Sequence, residues 1–315
     1  MKLAFLYAGQ GAQHAGMGQD LYEQQPVFRA VLDQVAGAMP FDLKTLCFEG
    51  PEDQLSQTQY TQPCMVAFAT ALTAVLKAEG IVPQAAAGLS LGEYSALACA
   101  DVWDAATAVQ LAAFRGKAMA EAVTGRPCGM AAVLGAERDA LQKACAQAAA
   151  QTGGVVEIAN YHCPGQMAIA GDAAAVETAC TLAKAAGARR CVPLKVSGPF
   201  HTSLMAPAGQ ALQQKFGTVA FGVPTLPVYF NCLGGPNTGD EAIPDLLVRQ
   251  VQTSVYWEDL LRRMQQDGID TMVEIGPGKT LAGLARKTVP GVAVRSVETA
   301  AELAETLAWL KGETV

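Results

Sequence analysis

The sequence predicts an α/β fold with a mostly parallel sheet and an inserted βαββαβ segment. Short apolar runs alternate with stretches of helical periodicity, the pattern of parallel sheets with crossover helices. Around residues 130–196 the predicted order becomes strand, helix, two strands, helix, strand, which is the ferredoxin-like pattern. With 315 residues, 51% apolar and 16% charged, the chain can bury the core of one large domain or two smaller ones.

The first part of the chain alternates strand and helix. Residues 3–8 are an apolar run that stops at Gly9-Gln10-Gly11, and residues 83–88 are a second short apolar run. We expect a strand in each. Apolar residues at near-helical spacing predict helices at residues 17–35, 63–79, 93–100 and 105–120.

The inserted segment is predicted at residues 125–196, which leaves residues 1–124 and 197–315 as a discontinuous large domain. It begins near Gly125-Arg126-Pro127. Its expected strands are 130–134, 155–159, 167–170 and 190–196, and its expected helices are 137–151 and 173–186.

The rest of the chain returns to the large domain. We expect helices at residues 204–216, 244–251 and 257–266, strands at 226–230 and 271–275, and a helical tail from residue 300. The last of these strands ends in Gly276-Pro277-Gly278.

Composition excludes several classes of function. Lys and Arg number 22 against 29 Asp and Glu, and the net charge of −7 has the wrong sign for binding nucleic acid or an anionic membrane. The nine cysteines are odd in number and lack C-x-x-C spacing, so we expect neither a disulfide framework nor a zinc site. The chain shows no signal-peptide core and no apolar stretch of about 20 residues, so we expect a soluble, cytoplasmic protein.

Two glycine motifs fail as nucleotide-binding sites. Gly9-Gln10-Gly11 follows a strand, but His14 stands where the third glycine of a dinucleotide fingerprint belongs. Gly278-Lys279-Thr280 resembles the end of a P-loop, but Val273 replaces its leading glycine.

Gly88-Leu89-Ser90-Leu91-Gly92 is the strongest local motif. It is a G-x-S-x-G sequence where an apolar strand turns into a helix, the context of a nucleophile elbow. The helix N-terminus also offers backbone N–H groups to a developing oxyanion. The alternative is an ordinary strand-to-helix turn capped by Ser90.

A serine nucleophile needs a base, and the chain has three histidines, His14, His162 and His201. All three fall in predicted loops, and position favours His201 because the chain there leaves the inserted segment. Arg115 lies in an apolar helical stretch, where a guanidinium needs an anionic partner. That partner is either a substrate carboxylate or a nearby acidic residue.

Together these residues resemble the malonyl-CoA:acyl carrier protein transacylases, acyltransferases of fatty-acid and polyketide synthesis. The resemblance implies a hydrolase-like, mostly parallel sheet with helices on both faces and a ferredoxin-like insertion. It covers nearly the whole chain and rests on residues 9–13, 59–63, 88–93, 114–116, 160, 164–166, 198–201, 248–250 and 274–278.

The resemblance assigns catalytic roles. It implies that Ser90 is the nucleophile and His201 its base, oriented by a backbone carbonyl near Gln250. The backbone N–H groups of Gln10 and Leu91 would form the oxyanion hole.

Five residues would bind substrate by the same resemblance. Arg115 would hold the malonyl carboxylate, and the Phe200 ring would crowd a 2-methyl branch, which typically discriminates by about 1–3 kcal/mol per methyl group. Gln62, Asn160 and Gln250 would complete the site.

The implied substrates are malonyl-CoA and a phosphopantetheinylated acyl carrier protein, with no bound cofactor or metal. Carrier proteins of this kind are acidic, so an acidic enzyme needs a local basic face to attract one transiently. Candidates for that face are Arg189, Arg190, Lys195, Lys279, Arg286 and Lys287.

Three positions depart from the family pattern. Leu89 stands where many members have His, which puts in doubt a role for that side chain in holding the malonyl carboxylate. Ala12 and Ser254 replace a common Ser and Pro, away from the expected catalytic groups.

Three other functions remain open. A serine esterase or thioesterase shares G-x-S-x-G, but its His usually lies near the chain end, whereas a long stretch follows His201, and it needs no buried Arg115. A catalytically dead carrier-binding scaffold is disfavoured by the joint presence of Ser90, His201 and Arg115. A free-standing acyltransferase of a polyketide pathway would use the same chemistry.

Overall fold

The computed structural model describes residues 1–194 and 198–312. They form two compact units. The first comprises Met1–Gly116, Ala220–Tyr229 and Met264–Val315, and the second comprises Lys117–Val219 and Phe230–Arg263. The domain boundaries at residues 125 and 196 stay a prediction, and residues 195 and 196 lie outside the described residues.

The sheet of the first unit is parallel, as predicted. Its strands include β1 (Leu3–Tyr7), β2 (Ala85–Gly88), β7 (Val228–Phe230), β10 (Thr271–Ile275) and β11 (Ala293–Val297). These lie in the order β11-β10-β1-β2-β7, and the register pairs Leu3 with Thr271 and Ala4 with Ala85. Every residue of the central strands β1 and β10 is buried, as expected of a parallel sheet covered on both faces.

Two of the predicted helices have different bounds, and three helices, Leu43–Phe48, Glu52–Leu55 and Thr280–Thr288, were not predicted. The helix expected at residues 17–35 is two helices, because Gln25 is extended before Pro26, a conformation that the residue preceding a proline prefers. The helix expected from Pro63 begins at Thr58, and Pro63 lies in its second turn. The helices are α1 (Gln19–Gln24), α2 (Pro26–Ala36), α3 (Leu43–Phe48), α4 (Glu52–Leu55), α5 (Thr58–Ala78), α6 (Gly92–Cys99), α7 (Ala105–Glu121), α13 (Thr280–Thr288) and α14 (Ala300–Lys311).

The second unit confirms the βαββαβ order. It runs β3 (Cys128–Leu134), α8 (Arg138–Thr152), β4 (Val156–Cys163), β5 (Gln166–Asp172), α9 (Ala173–Ala185) and β6 (Arg190–Pro193). The sheet order is β6-β3-β5-β4 with antiparallel pairs, and β9 (Val255–Tyr256) adds a parallel edge at Asn160. The two helices and the sheet share one apolar core.

The remaining elements of the second unit follow His201 in the sequence. They are a 3₁₀ turn (Ser203–Met205), α10 (Ala206–Phe216), β8 (Gly235–Pro236), α11 (Ile243–Val251) and α12 (Trp257–Gln266). Across the described ranges, no helix is long and apolar enough to cross a membrane.

Candidate active site

Ser90 lies on a sharp turn between β2 and α6. Its φ is 52°, a left-handed conformation that costs a non-glycine residue of order 1–3 kcal/mol and that clusters at functional sites. Gly92 N–H bonds the Leu89 carbonyl at 2.9 Å, and Leu89 N–H bonds the Tyr7 carbonyl at 3.0 Å. The turn is therefore held against β1 with the serine at its apex, which is the geometry of a nucleophile elbow.

The two glycines of the motif permit this turn. A Cβ on Gly88 would lie 1.8 Å from the Gly92 carbonyl carbon, and a Cβ on Gly92 would lie 2.2 Å from the Tyr7 carbonyl oxygen. Real side chains cannot occupy either position unless backbone moves. The spacing read from the sequence is thus a steric requirement of the turn.

We expect Gly88→Ala to destabilise the protein by roughly 4 kcal/mol or more, because the added methyl meets backbone atoms that cannot rotate away. Urea denaturation followed by circular dichroism measures this. Gly283→Ala is the control: it lies within α13 with nothing within 4 Å of its added Cβ, so it should stabilise by about 0.5–1 kcal/mol. Equal stabilities of the two variants would contradict the steric argument.

Arg115 is buried beside the serine. Its exposed fraction is 1%, its Nη2 donates to Ser90 Oγ at 3.0 Å, and its Nη1 donates to Gln62 Oε1 at 2.9 Å. The guanidinium carbon lies 5.6 Å from the centre of the Tyr94 ring. Burial lowers the pKa of Arg115 from its usual value, with nearby Tyr94 and Glu93 partly offsetting the effect. A desolvated cation at the nucleophile favours an anionic substrate group.

Two predicted oxyanion donors belong to this same unit. Gly9 lies so close to the elbow that a Cβ on it would be 2.6 Å from the Leu89 carbonyl oxygen, which brings the loop carrying Gln10 beside the turn carrying Leu91. Among the hydrogen bonds of the described residues, none has the backbone N–H of Gln10 or Leu91 as donor. Both groups can therefore donate to a substrate oxygen.

His201 is organised within the second unit. Its side chain is buried, its φ is 61°, and its Nδ1 lies 2.9 Å from the Gln250 carbonyl oxygen. A carbonyl accepts only, so Nδ1 carries the proton and Nε2 holds the lone pair of a base. The carbonyl that accepts from His201 belongs to Gln250, a fully buried residue of α11. Phe200 precedes the histidine and is 8% exposed.

Asn160 is buried on β4 of the second unit, opposite Ala168 on one side and Val255 on the other. The register of β4 shifts between Ile158 and Asn160. Ser254, one of the departures from the family pattern, donates from its hydroxyl to the Ile158 carbonyl at 2.6 Å. A proline there would offer no such donor.

The other two histidines are unsuited to be the base. His162 lies in β4, not in a loop as the sequence suggested, and burial lowers its pKa to about 4. His14 uses both ring nitrogens, one toward the Ala15 carbonyl and the other toward Glu298. Neither His14 nitrogen is left to accept from a serine.

The His14–Glu298 pair predicts a pH dependence of stability. Desolvation lowers the pKa of His14, but bonds to Ala15 and Glu298 and the charges of Glu298 and Glu52 outweigh it, so the pKa is raised. The stabilisation is therefore present in full below the unfolded value of about 6.5 and is lost as pH rises through the folded value. Because the histidine is half-exposed, His14→Gln should lower Tm by no more than about 2 °C at pH 6.

Thermal melts of the wild type and His14→Gln at pH 6 and pH 9 measure this difference. The two proteins should converge at pH 9. A Tm difference that grows with pH would contradict the sign.

The predicted basic face is partly neutralised. Lys279 and Arg286 line a cavity of about 140 Å³ near α13 and α14, where Lys279 pairs with Glu302 at 2.7 Å. Arg286 Nη2 donates to the Val294 carbonyl at 3.0 Å. Lys195 lies outside the described residues. The basic face stays a prediction, with Arg189, Arg190 and Lys287 as its other members.

The sequence analysis missed two residues of this site. Tyr94 supplies the ring beneath Arg115, and Thr58 accepts a hydrogen bond from the Gln10 side chain at 3.0 Å. Neither carries a local signal, since both contacts join residues distant in sequence. No group of three or more His, Cys, Asp or Glu side chains suited to a metal occurs in residues 1–194 and 198–312.

A serine at the apex of an elbow, beside a buried arginine, is suited to the transfer of an acyl group that carries a negative charge. The sequence matches the acyl transferase domain family over residues 4–306. The chain therefore belongs to that family.

Three named proteins indicate which members of the acyl transferase family this chain is similar to. The malonyl CoA-acyl carrier protein transacylase of Escherichia coli (strain K12) is 41% identical over 289 residues, covering 91% of this chain and 93% of the relative. The crystal structure of the malonyl CoA-acyl carrier protein transacylase from Clostridium perfringens is 36% identical, covers 99% of this chain and 98% of its own, and superposes with a TM-score of 0.95. A malonyl-transacylase in complex with its type II PKS acyl-carrier protein is 37% identical, with coverages of 98% and 99% and a TM-score of 0.93.

Proposed function

We propose that this chain transfers a malonyl group from malonyl-CoA to the phosphopantetheine thiol of an acyl carrier protein, through an ester on Ser90. One observation carries the chemistry: Arg115 is buried, desolvated and within 3.0 Å of the hydroxyl of Ser90. The names and high identity of the relatives support the choice of substrates.

In the first half-reaction, Ser90 Oγ attacks the thioester carbonyl and its proton passes to His201 Nε2. The backbone N–H groups of Gln10 and Leu91 bind the tetrahedral oxyanion. Collapse breaks the C–S bond, and the CoA sulfur leaves with the proton from His201. The tautomer of His201 supports its role as the base, because the Gln250 carbonyl keeps the proton on Nδ1 and leaves the lone pair on Nε2.

In the second half-reaction, the phosphopantetheine thiol gives its proton to His201 and attacks the Ser90 ester. The new thioester forms as Oγ leaves and recovers the proton, so the enzyme returns to its starting state. Arg115 holds the malonyl carboxylate throughout, with Gln62 orienting it. Gln250, Asn160 and Phe200 are proposed to complete the substrate site.

The test is the fate of the acyl-enzyme when holo carrier protein is present. We expect malonyl to move to the carrier thiol much faster than water releases malonate, as measured by mass spectrometry of the carrier protein. Predominant hydrolysis would identify an esterase or thioesterase and overturn the proposal.

A second candidate function is malonyl transfer to the carrier protein of a polyketide pathway, because one structural relative is a complex with a type II PKS acyl-carrier protein. The chemistry is the same and the carrier differs. Transfer rates to a fatty-acid and a polyketide carrier protein under equal conditions separate the two.

We also propose a cytoplasmic location. All nine cysteines fall in the described ranges and are free thiols, and several lie in the apolar core. A reducing compartment preserves such thiols.

A further inference from the structure

A row of hydrogen bonds runs from Thr58 to the proposed nucleophile within the first unit. Gln10 Nε2 donates to Thr58 Oγ1 at 3.0 Å, and Gln62 Nε2 donates to Gln10 Oε1 at 3.4 Å. Arg115 Nη1 donates to Gln62 Oε1 at 2.9 Å, and Nη2 donates to Ser90 Oγ at 3.0 Å. Thr58 thus stands at the end of the row opposite to Ser90.

The donor-to-acceptor direction of these hydrogen bonds is fixed by the guanidinium of Arg115. A guanidinium only donates, so Gln62 must turn its amide oxygen toward Arg115. The amide nitrogen of Gln62 then needs an acceptor, which is the oxygen of Gln10, and the nitrogen of Gln10 needs one in turn. The hydroxyl oxygen of Thr58 meets that last requirement.

Thr58 is itself firmly placed. It is the first residue of α5, is 2% exposed, and its carbonyl oxygen would lie 2.6 Å from a Cβ on Gly116. The backbone of α5 at Thr58 therefore lies directly against that of α7 at Gly116, the residue next to Arg115. A flipped Gln62 would instead point an N–H₂ group at a desolvated cation, which is strongly unfavourable.

We propose that Thr58 is a positioning residue of the malonyl transfer: its hydroxyl fixes the amide orientations of Gln10 and Gln62 and thereby aims Arg115 at the substrate carboxylate. The inference rests on the proposed function. Thr58 acts through Gln10 and Gln62, so its effect is confined to substrates that carry a carboxylate.

The test compares Thr58→Val with wild type in acyl-enzyme formation from malonyl-CoA and from acetyl-CoA. Loss of one hydrogen bond in a charged network should lower kcat/KM for malonyl-CoA about tenfold, mainly through KM, and that for acetyl-CoA less than about twofold. Thr58→Ser, which keeps the hydroxyl, should restore the malonyl value.

Thr70→Val is the matched control. Thr70 is a buried threonine of the same helix whose hydroxyl donates to the Val66 and Ala67 carbonyls of its own helix. Thr70→Val should leave kcat/KM for malonyl-CoA and for acetyl-CoA unchanged. If Thr58→Val does not fold, Thr58→Ala removes the same hydroxyl without adding a methyl group and should give the same selective loss.

A double-mutant cycle separates positioning from a general structural effect. In an Arg115→Ala background, Thr58→Val should no longer change the malonyl-to-acetyl ratio, because the group that it aims is gone. Equal losses on both substrates, or the same change of ratio without Arg115, would overturn the inference. Failure of the proposed function would appear separately, as absence of malonyl transfer by the wild type.

Discussion

Ser90→Ala is expected to abolish the malonyl adduct that forms when the protein is mixed with malonyl-CoA. The hydroxyl at the apex of the elbow is the sole oxygen that this proposal makes nucleophilic. Its removal should lower transfer to carrier protein by at least about 10⁴-fold, as for nucleophiles of other acyl-transfer enzymes. Intact-mass measurement of the protein, with and without malonyl-CoA, gives the result directly.

Ser95→Ala is the control for this experiment. Ser95 is a buried serine of α6, the helix that follows the elbow, and lies in no part of the proposed machinery. Its variant should take up malonyl like the wild type. A malonyl adduct that persisted in Ser90→Ala would show that the acyl group is attached to another residue, and Ser90 would then not be the nucleophile.

Arg115→Ala is expected to reduce the use of malonyl-CoA far more than that of acetyl-CoA. Truncating one partner of a buried, hydrogen-bonded charge pair costs about 2–5 kcal/mol, so kcat/KM for malonyl-CoA should fall roughly 30- to 4,000-fold. Acetyl-CoA carries no carboxylate and should lose much less. Steady-state kinetics with both thioesters measure the two changes.

Arg115→Lys refines the same test. Lysine retains the charge but loses the planar fork that serves Gln62 and the substrate together, so its malonyl activity should lie between those of wild type and alanine. Thermal melts confirm that both variants fold. Equal losses on malonyl-CoA and acetyl-CoA would remove the carboxylate-binding role.

The main elements of the fold were predictable because they depend on local patterns. The buried strand β1, the strand β2 before the elbow and the βαββαβ order all follow from periodicity and turn residues. The misplaced boundaries are instructive. The sequence pattern predicts a helix start at Pro63, yet α5 begins at Thr58, because tertiary packing buries its first turns and outweighs one lost hydrogen bond.

Elements with weak patterns were missed. The edge strand β11 and the two-residue strand β9 pair with neighbours far away in sequence, and β11 is only partly buried. Short edge strands of this kind owe their conformation to the strand beside them. Local sequence therefore carried little information about them.

The sequence by itself determined the elbow, because the steric need for Gly88 and Gly92 around Ser90 acts within five residues. It also identified Arg115 as a cation in apolar surroundings. Only the tertiary structure decided that this cation meets Ser90 and Gln62, and that Thr58 anchors the row behind them. The reason is physical: these contacts depend on how closely α7 approaches the start of α5, which the absence of a side chain at Gly116 permits, and not on the spacing of residues along the chain.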